Sequence, residues 1–100
     1  MARNPNRRPT HPGALLREDI LPAARITQSE LARRMGVSRL TVSEIVLEKR
    51  AVTADVAHRL GRVFGNGPGL WLNMQKAVEL WDALEANRGE YDKIEPVKAA

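Results

Sequence analysis

The chain has 100 residues, a length typical of one domain with a modest hydrophobic core. It lacks cysteine, which excludes disulfides and thiolate metal sites, and no apolar run approaches the roughly 20 residues of a membrane span. With no secretion leader in view, we expect a cytoplasmic protein. The net charge is +4, and residues 1–68 carry twelve of the sixteen basic side chains. A protein that binds nucleic-acid phosphates would need such a concentration of positive charge in one part of the chain. An ordinary solvated surface could show the same charge distribution.

The first part of the sequence predicts a basic arm followed by one helix. Residues 1–9 are polar, contain proline and carry three arginines, so we expect a disordered arm there. The helix should begin at Pro12, since proline fits the first helical turn, and Pro22 should end it near Leu21. Its apolar face consists of Leu15, Leu16, Ile20 and Leu21.

The stretch 27–50 is the most informative part of the chain. Thr27 and Glu30 have the spacing of a capping box, in which both side chains satisfy free backbone N–H groups at a helix start. About two turns later comes Gly36, the residue type that adopts a left-handed C-cap without steric cost. Ser38 then caps a second helix. Two short helices joined by a glycine-containing turn predict a helix-turn-helix, whose second helix fits the major groove of DNA.

Two further helices complete a predicted all-α fold with five helices. Thr53 should cap the fourth helix. Its apolar stripe consists of Val56, Leu60, Val63 and Phe64. Residues 65–69 are rich in glycine and should connect it to a fifth helix at about 70–86. The tail 88–100 should be frayed, so residues 10–87 form one helical domain.

Within the second helix of the motif, the buried side chains determine which residues face outward. Val42, Ile45 and Val46 should point to the core, together with Leu31 and Leu60. Residues at the helix start and one turn later then face DNA, where they can contact base edges. Residues after this helix, and at the start of the preceding one, can reach phosphates. The candidate DNA-binding residues are Gln28, Ser29, Ser38, Arg39, Leu40, Thr41, Ser43, Glu44, Lys49 and Arg50.

Roles within this set follow from side-chain chemistry. Arg39 could bond bidentately to guanine, and Leu40 could touch a thymine methyl group. Thr41 could do the same or bond to a base, and Glu44 could accept from a cytosine amino group or instead orient Arg39. The basic pair that follows the helix would bind phosphate. The alternative is that these charged side chains are ordinary solvated helix surface.

The predicted fifth helix has more apolar residues than one small core requires. They occupy about half of its circumference at roughly 100° per residue, and several follow the 4-3-4-3 spacing of two helices packed side by side. We therefore predict a two-fold homodimer. The alternatives are that both tryptophans complete a monomer core, or that this flank meets another protein. The candidate interface residues are Leu70, Trp71, Met74, Ala77, Val78, Trp81 and Leu84.

Enzyme chemistry has little support in the sequence. His11 and His58 are the only imidazoles, and no cysteine or carboxylate constellation accompanies them as a metal site or triad would require. Gly65, Gly67 and Gly69 lack the following lysine of a phosphate loop. We expect no catalytic residue, metal or cofactor.

The chain resembles the λ-repressor-like (XRE) helix-turn-helix proteins, and its flanks resemble the HigA-type antitoxins of bacterial toxin–antitoxin modules. The matching segments are HPGALLREDIL at 11–21, TQSELARRMGVSRLTVSEIVLEKRAVTADVAHRLGRVFG at 27–65 and WLNMQKAVELW at 71–81. The chain departs from the family at Ala14, where Glu is usual, and at Val78, where Tyr is frequent. It also has Leu47-Glu48 where Asn-Gly commonly precedes the basic pair.

This resemblance implies a five-helix λ-repressor-like fold and an antitoxin that restrains a RelE-like toxin, a ribosome-associated mRNA nuclease. It also implies repression of its own operon by a homodimer on double-stranded operator DNA, which would place the protein at the nucleoid. Two other hypotheses stay open. A stand-alone XRE-family repressor would have no toxin partner. A protein-interaction module would use the fold without DNA, although the polar, basic start of the second motif helix argues against it.

Overall fold

A computed structural model describes residues 6–98 and confirms the all-α, five-helix architecture within that range. Residues 1–5 of the predicted arm, including Arg3, and residues 99–100 of the predicted tail lie outside the described range. The helices are α1, built from the segments Pro12–Leu15, Leu16–Ile20 and Leu21–Ala24, α2 at Gln28–Met35, α3 at Arg39–Val46, α4 at Ala54–Phe64 and α5 at Pro68–Asp92. None of these five helices is both long and apolar enough to cross a membrane.

The first helix continues through Pro22, so the prediction that it ends there is wrong. A π-helical turn, Leu16–Ile20, precedes the proline, and the Leu21 N–H bonds to the Leu16 carbonyl five residues earlier. In a regular α-helix the proline ring would clash with the carbonyl four residues before it, and the wider π turn displaces the carbonyls in this region. The helix ends at Arg25, which has a left-handed φ of 56°.

The helix-turn-helix, formed by α2 and α3, has the predicted caps. The Thr27 hydroxyl accepts the backbone N–H of Glu30 at 3.1 Å. Gly36 ends α2 in the left-handed conformation, with a φ of 73°. The Ser38 hydroxyl accepts the N–H of Thr41 at 3.1 Å and so begins α3. Local sequence therefore determines where both helices of the motif begin and where the turn lies.

The Glu30 half of the predicted capping box does not form. The Glu30 carboxylate does not return to the start of the helix but binds Arg33 at 2.6 Å and Arg34 at 2.8 Å. Hydrogen bonds from these two guanidinium groups lower the pKa of Glu30 to about 2. Two cationic guanidinium donors attract the carboxylate more strongly than one neutral backbone N–H does, which explains why Glu30 binds the arginines.

The hydrophobic core is centred on the helix-turn-helix. Leu31, Val42, Ile45 and Leu60 are each at most 1% exposed, as predicted. The same buried cluster includes Leu16, Leu21, Ala32, Met35, Val46, Val52, Val56, Ala57 and Trp71. Burial of this apolar surface fixes α3 against α1 and α2 and leaves its opposite face in solvent.

The fifth helix packs on α4 through a close backbone approach. Gly61 lies so near Gly67 that a Cβ atom on it would be 2.6 Å from the Gly67 carbonyl oxygen. Trp71 is fully buried, donates from Nε1 to Asn66 Oδ1 at 2.9 Å, and packs against Phe64 with ring centres 5.9 Å apart. The ring of Trp71 therefore belongs to the core of its own chain.

The fifth helix is longer than the predicted range of about 70–86. It begins at Pro68, because proline fits the first helical turn, so the predicted connector is shorter by two residues. Near the predicted end, Asn87 leaves the helical region with a φ of −132°, and the chain then resumes helical structure as far as Asp92. Gly89 does not end the helix.

Candidate nucleic-acid interface

The outward face of α3 carries the predicted base-reading residues. Arg39 and Leu40, its first two residues, are exposed. Thr41, Ser43 and Glu44 are half-buried beside them. These five side chains share one surface because α3 buries its other face in the core. We call α3 the recognition helix from here on, since such a surface at a helix start can enter a major groove.

The hydroxyl groups of Ser38 and Thr41 are engaged in the N-cap of the recognition helix. Besides accepting the Thr41 N–H, Ser38 Oγ lies 2.9 Å from Thr41 Oγ1. The cap satisfies the Thr41 N–H, whereas the first N–H groups of a helix have no carbonyl partner within it. Free N–H groups at a helix N-terminus, with the helix dipole behind them, favour a nearby phosphate.

The acidic residue of this surface has a different partner from the one suggested by the sequence. Glu44 accepts a hydrogen bond from Arg50 at 2.7 Å, so it orients Arg50 and not Arg39. Among residues 6–98, no carboxylate pairs with the Arg39 guanidinium, which leaves its donors available to a ligand. Of the two roles that the sequence left open for Glu44, orienting Arg39 does not hold in this structure, because the Glu44 carboxylate binds Arg50.

The residues predicted to contact the DNA backbone lie at the two ends of the motif. Gln28 and Ser29 are the first residues of α2, where Ser29 is exposed and Gln28 half-buried. Lys49 and Arg50 are exposed just beyond the recognition helix. This arrangement places side chains that can bind phosphate on either side of the base-reading surface.

The exit of the recognition helix is held by residues that the sequence analysis missed. Arg17 of α1 donates from Nη1 to the carbonyl of Val46, the last residue of the helix. Glu48 follows with a left-handed φ of 62°. Its carboxylate lies 3.5 Å from Arg17 and 3.1 Å from Arg8. The only hint of this site in the sequence was that Leu47-Glu48 departs from the family that the chain resembles. The arginines that bind Glu48 are too distant along the chain to be predicted from it.

Arg8 also connects this exit to the fifth helix. Its guanidinium binds Asp82 through two hydrogen bonds of 2.8 Å and thereby lowers the pKa of that carboxyl. The predicted disordered arm thus has a fixed contact at Arg8. Exposed ion pairs of this kind usually contribute less than about 1 kcal/mol each to stability, so they orient segments more than they stabilise the fold.

A second arginine from outside the motif holds the end of α2. Arg59 of α4 donates to the Met35 carbonyl at 2.8 Å while Asp55 binds the same guanidinium at 3.0 Å. A cation at a helix C-terminus satisfies free carbonyls and complements the helix dipole. Both helices of the motif therefore end against a guanidinium group supplied by another helix.

The His-Pro-Gly sequence at the start of α1 also supports the recognition helix. His11 is buried and is the N-cap of α1, with Nδ1 accepting the Gly13 N–H at 2.9 Å. Burial lowers the pKa of His11, although the charge of nearby Glu48 acts in the opposite direction. Gly13 then lies against the backbone of Ile45. His58, by contrast, is exposed on α4.

The predicted dimer residues divide into two groups. Trp71 and Val78 are at most 2% exposed within the single chain, so the prediction that they meet a second chain is wrong. They lie on the flank of α5 that covers the core. The other five residues keep accessible surface on the neighbouring flank, which we call the α5 flank: Leu70, Met74, Ala77, Trp81 and Leu84.

Comparisons with known proteins agree with this architecture. A family model described as helix-turn-helix matches residues 16–71. Antitoxin HigA-1 of Vibrio cholerae is 39% identical over 95 residues, which cover 95% of this chain and 90% of that protein.

Solved structures are similar over nearly the whole chain. Pseudomonas aeruginosa antitoxin HigA, solved with the higBA promoter, has a TM-score of 0.85 and 41% identity over 91% of this chain and 100% of that one. Antitoxin GraA in complex with its operator has a TM-score of 0.86 and 34% identity over 99% of this chain and 100% of that one. The chain therefore belongs to the XRE-type helix-turn-helix family and, within it, to the HigA-type antitoxins.

Proposed function

We propose that this protein represses transcription by sequence-specific binding of operator DNA and that it acts as an antitoxin. The observation that carries the DNA-binding part is the exposed start of the recognition helix, where the Arg39 guanidinium has no carboxylate partner among residues 6–98 and lies beside exposed Leu40. Relatives support it, since the HigA and GraA structures named above contain a promoter and an operator.

In the proposed complex the first turn of the recognition helix enters the major groove. Arg39 bonds to guanine, and Thr41 and Ser43 of the same helix bond to neighbouring base edges. Lys49, Arg50 and the N-terminus of α2 bind phosphates on either side. The phosphate contacts position the protein, and the base contacts select the sequence.

The protein binds DNA as a two-fold homodimer in this proposal. The α5 flank supports it, because Leu70 and Leu84 keep 46% and 38% of their surface exposed at its two ends, with Trp81 half-buried between them. Two recognition helices about 34 Å apart would then read a palindromic operator in successive major grooves.

The antitoxin part of the proposal names a RelE-like, mRNA-cleaving toxin as the protein partner. Its support is the family, which includes the antitoxin HigA-1 of Vibrio cholerae. The alternative is a stand-alone XRE-family repressor without a toxin partner. Co-expression with the adjacent reading frame separates the two: the antitoxin should co-purify with the product of that frame and abolish its mRNA cleavage, whereas a stand-alone repressor should do neither.

The DNA-binding part is tested by fluorescence anisotropy with two duplexes of equal length and composition. One carries the promoter of the gene that encodes this protein, and the other carries the same bases in scrambled order. Specific binding to DNA is usually at least 10³-fold tighter than non-specific binding, so the promoter should bind far more tightly at physiological salt. Equal affinity for both duplexes would contradict sequence-specific repression.

A further inference from the structure

One apolar side chain stands among the polar residues of the proposed DNA-binding surface. Leu40 is 65% exposed, whereas Val42, Ile45 and Val46 of the same helix are each 1% exposed. It is the second residue of the recognition helix, in the turn that follows the Ser38 cap. Most of the apolar surface of this leucine is not buried by the fold and is available to a ligand.

The neighbours of Leu40 indicate which chemical group of a ligand it could contact. Arg39, Leu40 and Ser43 line one shallow depression in the surface. Arg39 and Ser43 can bond to polar base edges, whereas leucine can make only apolar contact. In the major groove, the apolar group that an ordinary base pair presents is the C5-methyl group of thymine.

Thr41 also carries a methyl group in this turn, but its surroundings leave that methyl group less accessible to a ligand. Its hydroxyl lies 2.9 Å from Ser38 Oγ, and its N–H is bound to the same oxygen. The side chain is half-buried beside the cap. Leu40 is therefore the residue of the first turn with free apolar surface.

We propose that Leu40 is a specificity-determining residue that receives the C5-methyl group of a pyrimidine, in thymine or in 5-methylcytosine. This inference rests on the proposed function, because it requires the recognition helix to lie in the major groove. Burial of one methyl group corresponds to about a fourfold gain in affinity. Arg39, which borders the same depression, bonds to an adjacent base.

The test replaces the thymines of the promoter duplex one at a time by deoxyuridine, which lacks only the methyl group. Wild-type protein should lose about fourfold in affinity at one position of each half-site. Leu40→Ala should bind the thymine and deoxyuridine duplexes equally at that position. A C·G pair placed there, with and without the 5-methyl group on cytosine, should show the same methyl dependence in wild type and none in Leu40→Ala.

Leu47→Ala is the matched control. Leu47 is 54% exposed at the opposite end of the recognition helix, so this variant loses the same atoms and should keep the wild-type response to deoxyuridine. Selective promoter binding without methyl dependence, or methyl dependence that survives in Leu40→Ala, would overturn the inference alone. Failure of the wild type to select the promoter over scrambled DNA would overturn the proposed function and the inference with it.

Discussion

Gly13 of α1 lies directly against the backbone of the recognition helix, where a Cβ atom on it would overlap the carbonyl oxygen of Ile45. Glycine is therefore required for space at this position, since a backbone carbonyl cannot rotate away as a side chain can. The contact explains why His11, Pro12 and Gly13 are buried together at the start of α1. It also limits how closely α1 and the recognition helix can approach each other.

Gly13→Ala should destabilise the fold by about 1–3 kcal/mol, or more, because α1 and the recognition helix must move apart. Gly69→Ala in α5 is the control, since a Cβ atom there meets nothing within 4 Å and alanine is favoured over glycine in a helix. Urea unfolding of both variants measures the difference. A Gly13→Ala protein as stable as the wild type would contradict the close contact.

Stability should depend on the protonation of His11. Burial lowers the pKa of this imidazole in the folded state below its ordinary value of 6.5, and the neutral Nδ1 accepts the Gly13 N–H. The unfolded chain therefore takes up this proton more readily than the folded chain. The contribution of His11 is fully present above about pH 6.5 and is lost as the pH falls toward and through the lowered pKa.

His11→Asn tests this directly, because asparagine keeps an N-cap acceptor and does not titrate. The ordinary histidine pKa of about 6.5 lies between pH 7.5 and 5. Over that range the free energy of unfolding of His11→Asn should change less than that of the wild type. His58→Gln, at the exposed histidine of α4, should keep the wild-type dependence. Equal pH dependence in His11→Asn and wild type would show that another group is responsible.

Arg39→Ala should weaken operator binding by about 1–3 kcal/mol, the usual scale of a bidentate contact to a base. Folding should not change, since the side chain is exposed and has no ion pair within residues 6–98. Fluorescence anisotropy should show that Arg39→Ala loses less affinity for the scrambled duplex than for the promoter duplex. Lys49→Ala is the comparison, because a phosphate contact should lower affinity equally on both. If Arg39→Ala lost equal affinity for both duplexes, Arg39 would also be a contact to the DNA backbone.

Glu44→Gln should strengthen binding to every DNA sequence, because it releases Arg50 from the 2.7 Å ion pair and makes it available to phosphate. The slope of log affinity against log salt should become steeper by about 1. Glu85→Gln is the control with the same change in net charge, since it breaks the Arg88 ion pair on α5. A loss of affinity restricted to the promoter would instead show that Glu44 accepts from a cytosine amino group.

Trp81→Glu should convert the proposed dimer into a folded monomer with reduced operator affinity. Trp81 is half-buried on the α5 flank, where a charge would be desolvated by a second chain. Ala86→Glu introduces the same charge at an exposed position on the other side of this helix and should leave the dimer intact. Sedimentation measures the assembly and circular dichroism the fold. A wild type that is monomeric at micromolar concentration, or a dimeric Trp81→Glu protein, would contradict this interface.

Local sequence was sufficient for much of the helix-turn-helix. Thr27, Gly36, Ser38 and Thr53 act within three or four residues of themselves, so their spacing alone predicted the helix limits. The helical period of apolar residues likewise predicted that Leu31, in the core, would be buried. Such features depend on backbone geometry that each segment imposes on itself.

Other features were decided by residues far apart in the chain. The two tryptophans of α5 are both apolar by sequence, yet Trp71 is buried against α4 while Trp81 keeps surface on the α5 flank. Their difference comes from the way α5 packs on α4, where Gly61 lies against the backbone of Gly67 at the start of α5. Spacing within one helix cannot show which flank another helix will cover.

The supports of the recognition helix show the same division. Sequence alone determined that the helix exists, where it begins and which face it buries, because caps and periodicity are local. Only the tertiary structure decided what holds its exit: Arg17 is 29 residues from Val46, and Arg8 is 40 residues from Glu48 and 74 from Asp82. A long side chain can choose among many partners on a charged surface, and the folded backbone selects among them by bringing one within reach.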